Sequence, residues 1–299
     1  MLLNTADDDR LTPFVFERAA LRGAIVRLDA TARAVLACHD YPAPIARALR
    51  ELLAASTLLA SPLKLAGSMI VQLRGDGPLR LLVVECAGNL DLRATAQWSA
   101  DEVAALGPAA SLRALAGSDQ GRLVITLDPG GGGTLYQGIV ALQSESIAAS
   151  IEHYLVTSEQ LQSRLVLVAE GGATRGLLLQ RLPASAVADE PAWVRATARL
   201  SDAADLLQGA ADDASVLRAL FPDDDLRVFP ARPTRFACKC SRERAANALR
   251  IAGAAEVEAA IAQSGHVEVT CEYCGRRYDF EPAAARALFA GGAPERRQG

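Results

Sequence analysis

Residues 71–86 read VQLRGDGPLRLLVVEC, and this stretch decides the fold class. Two runs rich in Val, Ile and Leu, Ser68 to Arg74 and Leu79 to Cys86, stand on either side of Gly75-Asp76-Gly77-Pro78. Glycine, aspartate and proline crowded between two apolar runs predict a tight turn, so the pair is expected to form a β-hairpin. The same signature recurs downstream. Arg122 to Leu127 and Leu135 to Leu142 surround Pro129 and four glycines, and Arg164 to Ala169 with Arg175 to Leu182 make a third strand pair. Gly23 to Asp29 reads as a further strand. A helix is expected from Pro42 or Pro44, with proline near its first turn, to about Ala60, and another from Ser144, as N-cap, to Ser158. Strands joined by hairpins with few helices between them predict antiparallel sheets. Residues 1–183 are therefore expected to form an α+β core domain.

From Ala184 to Pro230 the composition changes. Nine acidic residues, among them Asp212 and Asp213, face four arginines. Trp193, Thr197, Leu200, Ala204 and Leu207 recur at helical spacing, and a second short helix starts near Asp212 and stops before Pro222. Residues 184–230 thus read as an acidic helical linker with one thin apolar stripe. Such helices are marginal unless they lie on a neighbour.

Residues 231–299 read as a small C-terminal zinc-binding domain. Two short helices, about Ser241 to Ala252 and Ala254 to Gln263, precede strand-like pieces at His266 to Thr270 and Arg277 to Phe280. Its chemistry lies in Cys238-Lys239-Cys240, a gap of thirty residues, and Cys271-Glu272-Tyr273-Cys274. Two close cysteine pairs supply the four soft ligands of tetrahedral zinc, one ion per chain in the reduced state. Gly275 permits the turn that aims backbone amides at the sulfurs. The single-residue spacer of the first pair is uncommon in structural zinc modules, and a bridge from i to i+2 closes a strained, easily reduced ring. Arg235, Lys239, Arg242, Arg244, Arg276 and Arg277 are expected around the thiolates, where cations favour thiolate over thiol. A module of about 50 residues has little core of its own, and zinc contributes on the order of 10–16 kcal/mol to such folds. Oxidising the ligands is thus expected to unfold the module and expose apolar surface to other unfolding chains.

Composition narrows the remaining possibilities. Of the 299 residues 51% are apolar and 22% charged, a globular balance, with a formal net charge of −4 that argues against broad nucleic-acid binding. The opening MLLNTADDDR carries acids where a secretory signal has basic residues, and no apolar run approaches the ~20 residues of a membrane span. A soluble cytoplasmic protein is expected, in a compartment where paired cysteines point to metal or redox chemistry. Cys38 and Cys86 read as buried small hydrophobes, and His39, His153 and His266 accompany no nucleophile motif. Asp128 to Gly133 lacks the Lys-Ser/Thr of a phosphate-binding loop and reads as a hairpin loop. No signature of acid/base or nucleophilic catalysis is found, so the chain is not read as an enzyme. A constitutive zinc ribbon without switching is the main alternative. A thiol–disulfide oxidoreductase ranks last, for want of a βαβ context around Cys271 and Cys274.

At these residues the chain resembles a known family. RFACKCSRERAANALR (235–250) and EVTCEYCGRRYDF (268–280), with RLDAT, HDYPAP, VQLRGDGPLRLLVVEC, YQGIV, EHYLVTSEQL and GLLLQRLP upstream in order, are similar to the thirty-three-kilodalton heat-shock proteins, redox-regulated bacterial holdase chaperones. The resemblance covers all but about ten residues at each end. It implies an α+β core, a helical linker and a zinc domain. It also implies that Cys238, Cys240, Cys271 and Cys274 hold zinc in an inactive reduced state and form disulfides Cys238–Cys240 and Cys271–Cys274 on oxidation. Zinc release, unfolding of the C-terminal region, dimerisation and ATP-independent holding of unfolding client proteins are expected to follow, with later transfer to ATP-dependent foldases.

Overall fold

The computed structural model describes residues 9–64, 66–117, 120–142, 144–183, 190–209 and 212–289. The chain divides into two compact units, Met1–Ala237 and Cys238–Gly299.

The first unit is α+β and built on two six-stranded sheets. In chain order its elements are β1 (Arg10–Phe16), β2 (Leu21–Arg27), α1 (Asp29–Leu36), α2 (Ala43–Ala60), β3 (Ser68–Arg74), β4 (Leu79–Ala87) and β5 (Asp91–Trp98). There follow α3 (Ala100–Leu106), α4 (Leu112–Ala116), β6 (Arg122–Asp128), β7 (Tyr136–Ala141), α5 (Ile147–Thr157), β8 (Ser163–Val168) and β9 (Arg175–Arg181). The unit ends with α6 (Glu190–Ala198), α7 (Ala203–Gly209), α8 (Asp213–Leu220), β10 (Leu226–Val228), β11 (Arg232–Pro233) and β12 (Arg235–Phe236). The first sheet runs β10-β1-β2-β9-β8, with β11 also on β1, and the second runs β12-β5-β4-β3-β6-β7. All pairs are antiparallel except β12 on β5.

The hairpin read from residues 71–86 forms as expected, with Val71 opposite Val84 and Leu73 opposite Leu82. The glycine run is the loop between β6 and β7. Gly130, Gly131 and Gly132 take φ of 78°, 63° and 82°, and the Gly130 amide donates to Asp128 Oδ1 at 2.8 Å. The helix predicted from Ser144 starts two residues later. Ser146, not Ser144, caps it by accepting from the Ala149 amide at 3.2 Å.

Helix α2 is the centre of the unit. Ile45, Leu49, Leu52, Leu53 and Leu58 are fully buried, because α2 packs on β2, β8 and β9 of the first sheet and on β3, β4 and β5 of the second. The first sheet is covered on both faces, and the alternation of its strands shows it. Ala24, Val26 and Leu178 join the α2 core, whereas Leu21, Ile25, Leu177 and Leu179 point to the other side. On that other side lie the helices of the acidic segment. Trp193, Ala196, Leu200, Ala203 and Leu207 form their stripe, with Val216, Leu217 and Leu220 of α8 beside it, against Phe14 and Phe16 of β1. Ala196 and Ala203, not the Thr197 and Ala204 read from sequence, are the buried members of the stripe, and its packing on β1 is what makes such short helices stable.

One polar clamp fastens α8 to this sheet. Asp213, in the first turn of α8, accepts hydrogen bonds from Arg10 Nε at 2.9 Å, Thr12 Oγ1 at 2.7 Å and Arg27 Nε at 2.5 Å. All but Arg10 are buried. A buried carboxylate is tolerated because charge-assisted hydrogen bonds occupy its oxygens.

The second unit contains α9 (Arg242–Ala252), α10 (Ala254–Ser264), the hairpin β13 (Val267–Thr270) with β14 (Arg277–Phe280), and α11 (Pro282–Ala287). Among the described residues its core holds four large buried side chains, Leu249, Val257, Val267 and Phe280, with Ala245, Ala246 and Ala285 between them. The Arg242 guanidinium lies 4.3 Å above the Phe280 ring. Among the described residues no helix is long and apolar enough to cross a membrane.

Candidate metal centre

Two local structures bring the four cysteines of the second unit together. Cys238 and Cys240 lie in the extended chain that enters α9, whose N-cap, Ser241, accepts from the Arg244 amide at 3.2 Å. Cys271 and Cys274 lie in the turn between β13 and β14. The Gly275 amide donates to the Cys271 carbonyl at 2.8 Å, and the Cys271 amide to the Arg276 carbonyl at 2.9 Å. Gly275 takes φ of 67°, the conformation for which a glycine is needed there.

The result is a compact thiol cluster. The Sγ atoms of Cys238, Cys240, Cys271 and Cys274 all lie within 4.8 Å of one another, with Cys238–Cys271 at 3.6 Å and Cys240–Cys274 at 3.4 Å. Four sulfurs at about 2.3 Å from a tetrahedral ion stand about 3.8 Å apart, so this spacing and donor set fit one soft or borderline metal ion. Both of these contacts join one cysteine from each pair. Because all four sulfurs are close, the cluster does not by itself favour one disulfide pairing over another.

Tyr278, which sequence reasoning passed over, completes the centre. Its hydroxyl donates to Cys240 Sγ at 3.1 Å. Burial works against ionising Cys240, but the Tyr278 hydrogen bond and the neighbouring thiols outweigh it and bring its pKa down to about 7. Burial raises the Cys238 and Cys274 thiols instead. The Tyr278 hydrogen bond thus favours the charged form of Cys240. Arg276 faces the same group, its charge favoured by the hydrogen bond with Tyr278 and then by Cys240 and Cys274. The signal for Tyr278 was its place on β14, four residues after Cys274, on a strand already assigned to the cysteine hairpin. Outer-shell partners of this kind typically alter metal affinity 10- to 100-fold. Tyr278→Phe should therefore weaken metal binding about tenfold in a chelator competition, with the fold of the unit unchanged; equal affinity would remove the hydroxyl from the centre.

The expected ring of cations is only partly realised. Arg235 belongs to the first unit and pairs with Asp91 at 2.7 Å, Arg242 stacks on Phe280, and Arg277 pairs with Glu268 at 3.6 Å. Each of these side chains is engaged by a partner other than the sulfurs. The other cysteines are set apart. Cys86 is buried in the α2 core, where desolvation pushes its thiol up to about 12, so it is an inert small hydrophobe. Cys38, expected to be buried, is half-buried and donates to the Ala34 carbonyl at 3.3 Å. His39 meets Tyr41 edge-on, His153 is exposed on α5, and His266 is exposed ahead of β13.

The chain, an α+β unit built on two sheets followed by a small unit with a four-thiol centre, is matched by three comparisons to one class of protein, the bacterial 33 kDa chaperonins. The model of the Hsp33 protein family matches residues 9–281. The 33 kDa chaperonin of Methylobacillus flagellatus is 40% identical over 291 residues, 94% of each chain. That of Chromobacterium violaceum is 40% identical over 290 residues, 96% of each chain. The crystal structure of the 33 kDa chaperonin (heat shock protein 33 homolog) of Thermotoga maritima has the same fold, with a TM-score of 0.77 at 20% identity, covering 94% of this chain and 97% of that one. The chain belongs to the Hsp33 family.

Proposed function

We propose that the protein is a redox-regulated, ATP-independent holdase, not an enzyme, whose reduced state is held inactive by one zinc ion on Cys238, Cys240, Cys271 and Cys274. The observation that carries this reading is the four-thiol cluster on a unit with four large buried side chains among its described residues. Bound zinc would hold the four thiolates in one place and so link the α9 end of the unit to the β13–β14 hairpin. The rest follows from the chain's own residues. Cys240 is the sulfur that receives the Tyr278 hydrogen bond, which favours its thiolate. With peroxide, each pair of thiolates gives up two electrons, one S–S bond forms, and the peroxide takes two protons from solvent and leaves as two waters. Hypochlorous acid takes one proton and leaves as water and chloride. The pairs in this reading are Cys238–Cys240 and Cys271–Cys274. Disulfide sulfurs no longer serve as thiolate donors, so the second unit loses its cross-link and unfolds.

In the same reading residues 1–183 are the core domain, 184–230 the linker and 231–299 the switch. The linker helices loosen after the switch unfolds and bare the apolar surface they cover. Unfolding client proteins bind there, the active chain dimerises, and clients pass later to ATP-dependent foldases in the cytoplasm. Nucleic acid and membranes are not partners in this scheme. The decisive experiment is light scattering of a heat-unfolding client with zinc release followed in the same samples. Aggregation should be suppressed only after treatment with peroxide at elevated temperature, with about one zinc lost per chain. Zinc retained, or no suppression in either state, would return the four-thiol centre to a permanent structural role.

A further inference from the structure

The β13–β14 hairpin has a second face. Val267 and Phe280 point into the core of the unit, while Glu268 and Asp279 are exposed on the outer side. These two carboxylates occupy directly paired register positions. Like charges opposite one another across a strand pair are destabilising, and nothing in the core of the hairpin requires them. Arg277 offsets Glu268 from 3.6 Å, and Thr270 Oγ1 donates to it at 3.3 Å. Asp279 has no ion pair among the described residues.

A third ligand group is placed beside them. Gly265, with φ of 75°, ends α10 and turns the chain so that His266 stands at the start of β13. One ring nitrogen of His266 and a carboxylate oxygen each of Glu268 and Asp279 all lie within 4.8 Å of one another. His266 Nδ1 is 3.0 Å from the Ser264 carbonyl. When Nδ1–H donates to that carbonyl, Nε2 carries the lone pair. A backbone carbonyl holding one imidazole nitrogen while the other is free to bind is the arrangement usual for metal-ligating histidine.

We propose that His266, Glu268 and Asp279 form a surface site for a divalent cation of the zinc class, separate from the four thiols. Imidazole with two carboxylates suits Zn, Co, Ni or Mn, in contrast to the soft donor set of the cysteines. A bound cation offsets the cross-strand repulsion and ties β13 to β14. Because the site is exposed and displaces the Arg277 contact, it binds more weakly than the thiol centre.

The test uses the full reduced chain, first saturated with one zinc and freed of excess. Calorimetric titration with further Zn2+ should show one additional equivalent. In His266→Ala and in Glu268→Gln/Asp279→Asn that binding should weaken at least tenfold, while the first, tightly held zinc stays. No additional binding, or equal binding in the variants, overturns the site. Co2+ added to the wild-type chain provides a readout free of substitutions. Selective broadening of the His266 ring resonances is expected, and unchanged resonances overturn the proposal. A chain that holds no tight zinc would refute the thiol-centre reading alone, since the His266 resonances decide this site independently.

Discussion

Cys240→Ser should leave the second unit without its metal and largely unfolded, while the first unit keeps its structure. The four large buried side chains of the second unit contribute roughly 6–12 kcal/mol together by area. A structural zinc site contributes on the order of 10–16 kcal/mol, at least as much as that small core. Serine keeps the shape of cysteine but is a far poorer zinc ligand, and it also removes the group that Tyr278 serves. Zinc content, amide dispersion in NMR spectra and proteolysis after Cys238 report the outcome. Full zinc content with native protection of residues 238–289 would refute the four-ligand assignment.

The second large effect belongs to the clamp at Asp213. Asp213→Asn should destabilise the packing of α8 on the first sheet by about 3–5 kcal/mol, the usual cost of taking one partner from a buried ion pair. Arg27, buried in β2, loses its counter-charge, and one of the two oxygens that accept from Arg27, Thr12 and Arg10 becomes an amide NH2 that cannot accept. Early proteolysis between Glu190 and Leu220, with a lower urea midpoint, is the expected signature. pH gives an independent check. Burial opposes the charge on Asp213, but Arg27, Thr12 and Arg10 outweigh it, so its folded pKa lies below the ordinary value. The clamp's contribution is therefore complete above the unfolded value of about 3.9 and is lost as pH falls through the depressed folded value. Wild type and Asp213→Asn should differ at neutral pH and converge in acid. Parallel stability curves across that range would take Asp213 out of the clamp.

What was legible in the sequence follows from how locally each feature is encoded. The hairpins β3–β4, β6–β7 and β8–β9 announce themselves because both strands and their turn lie within about 20 residues. The thiol centre was legible for a similar reason, since each half is a short motif and four ligands fix the geometry. β1 was missed because Pro13 and Arg10 interrupt its apolar run, although Pro is admissible where few ladder bonds are asked of it. β5 was missed because its inward residues include Ala94 and Ala96, whose small side chains barely register as an alternating pattern. The Asp213 clamp joins residues 186 to 203 positions apart, and no local pattern marks such a partner. Its neighbour Asp212 is an ordinary N-cap, accepting from the Ser215 amide at 2.7 Å, so the pair reads in sequence as one acidic helix start.

The pairing of β1 bears on how the chain is made. Its first strand is bounded by β2 on one side and, on the other, by β10 and β11, where Phe14 meets Val228 and Leu11 meets Arg232. During synthesis, then, the N-terminal strand waits with one edge open until more than two hundred further residues have left the ribosome. Closure by such distant partners is slow. An open edge beside Phe14 and Phe16 is meanwhile a template for unwanted pairing. A protein whose relatives are chaperones is thus, while nascent, itself a chain in want of protection.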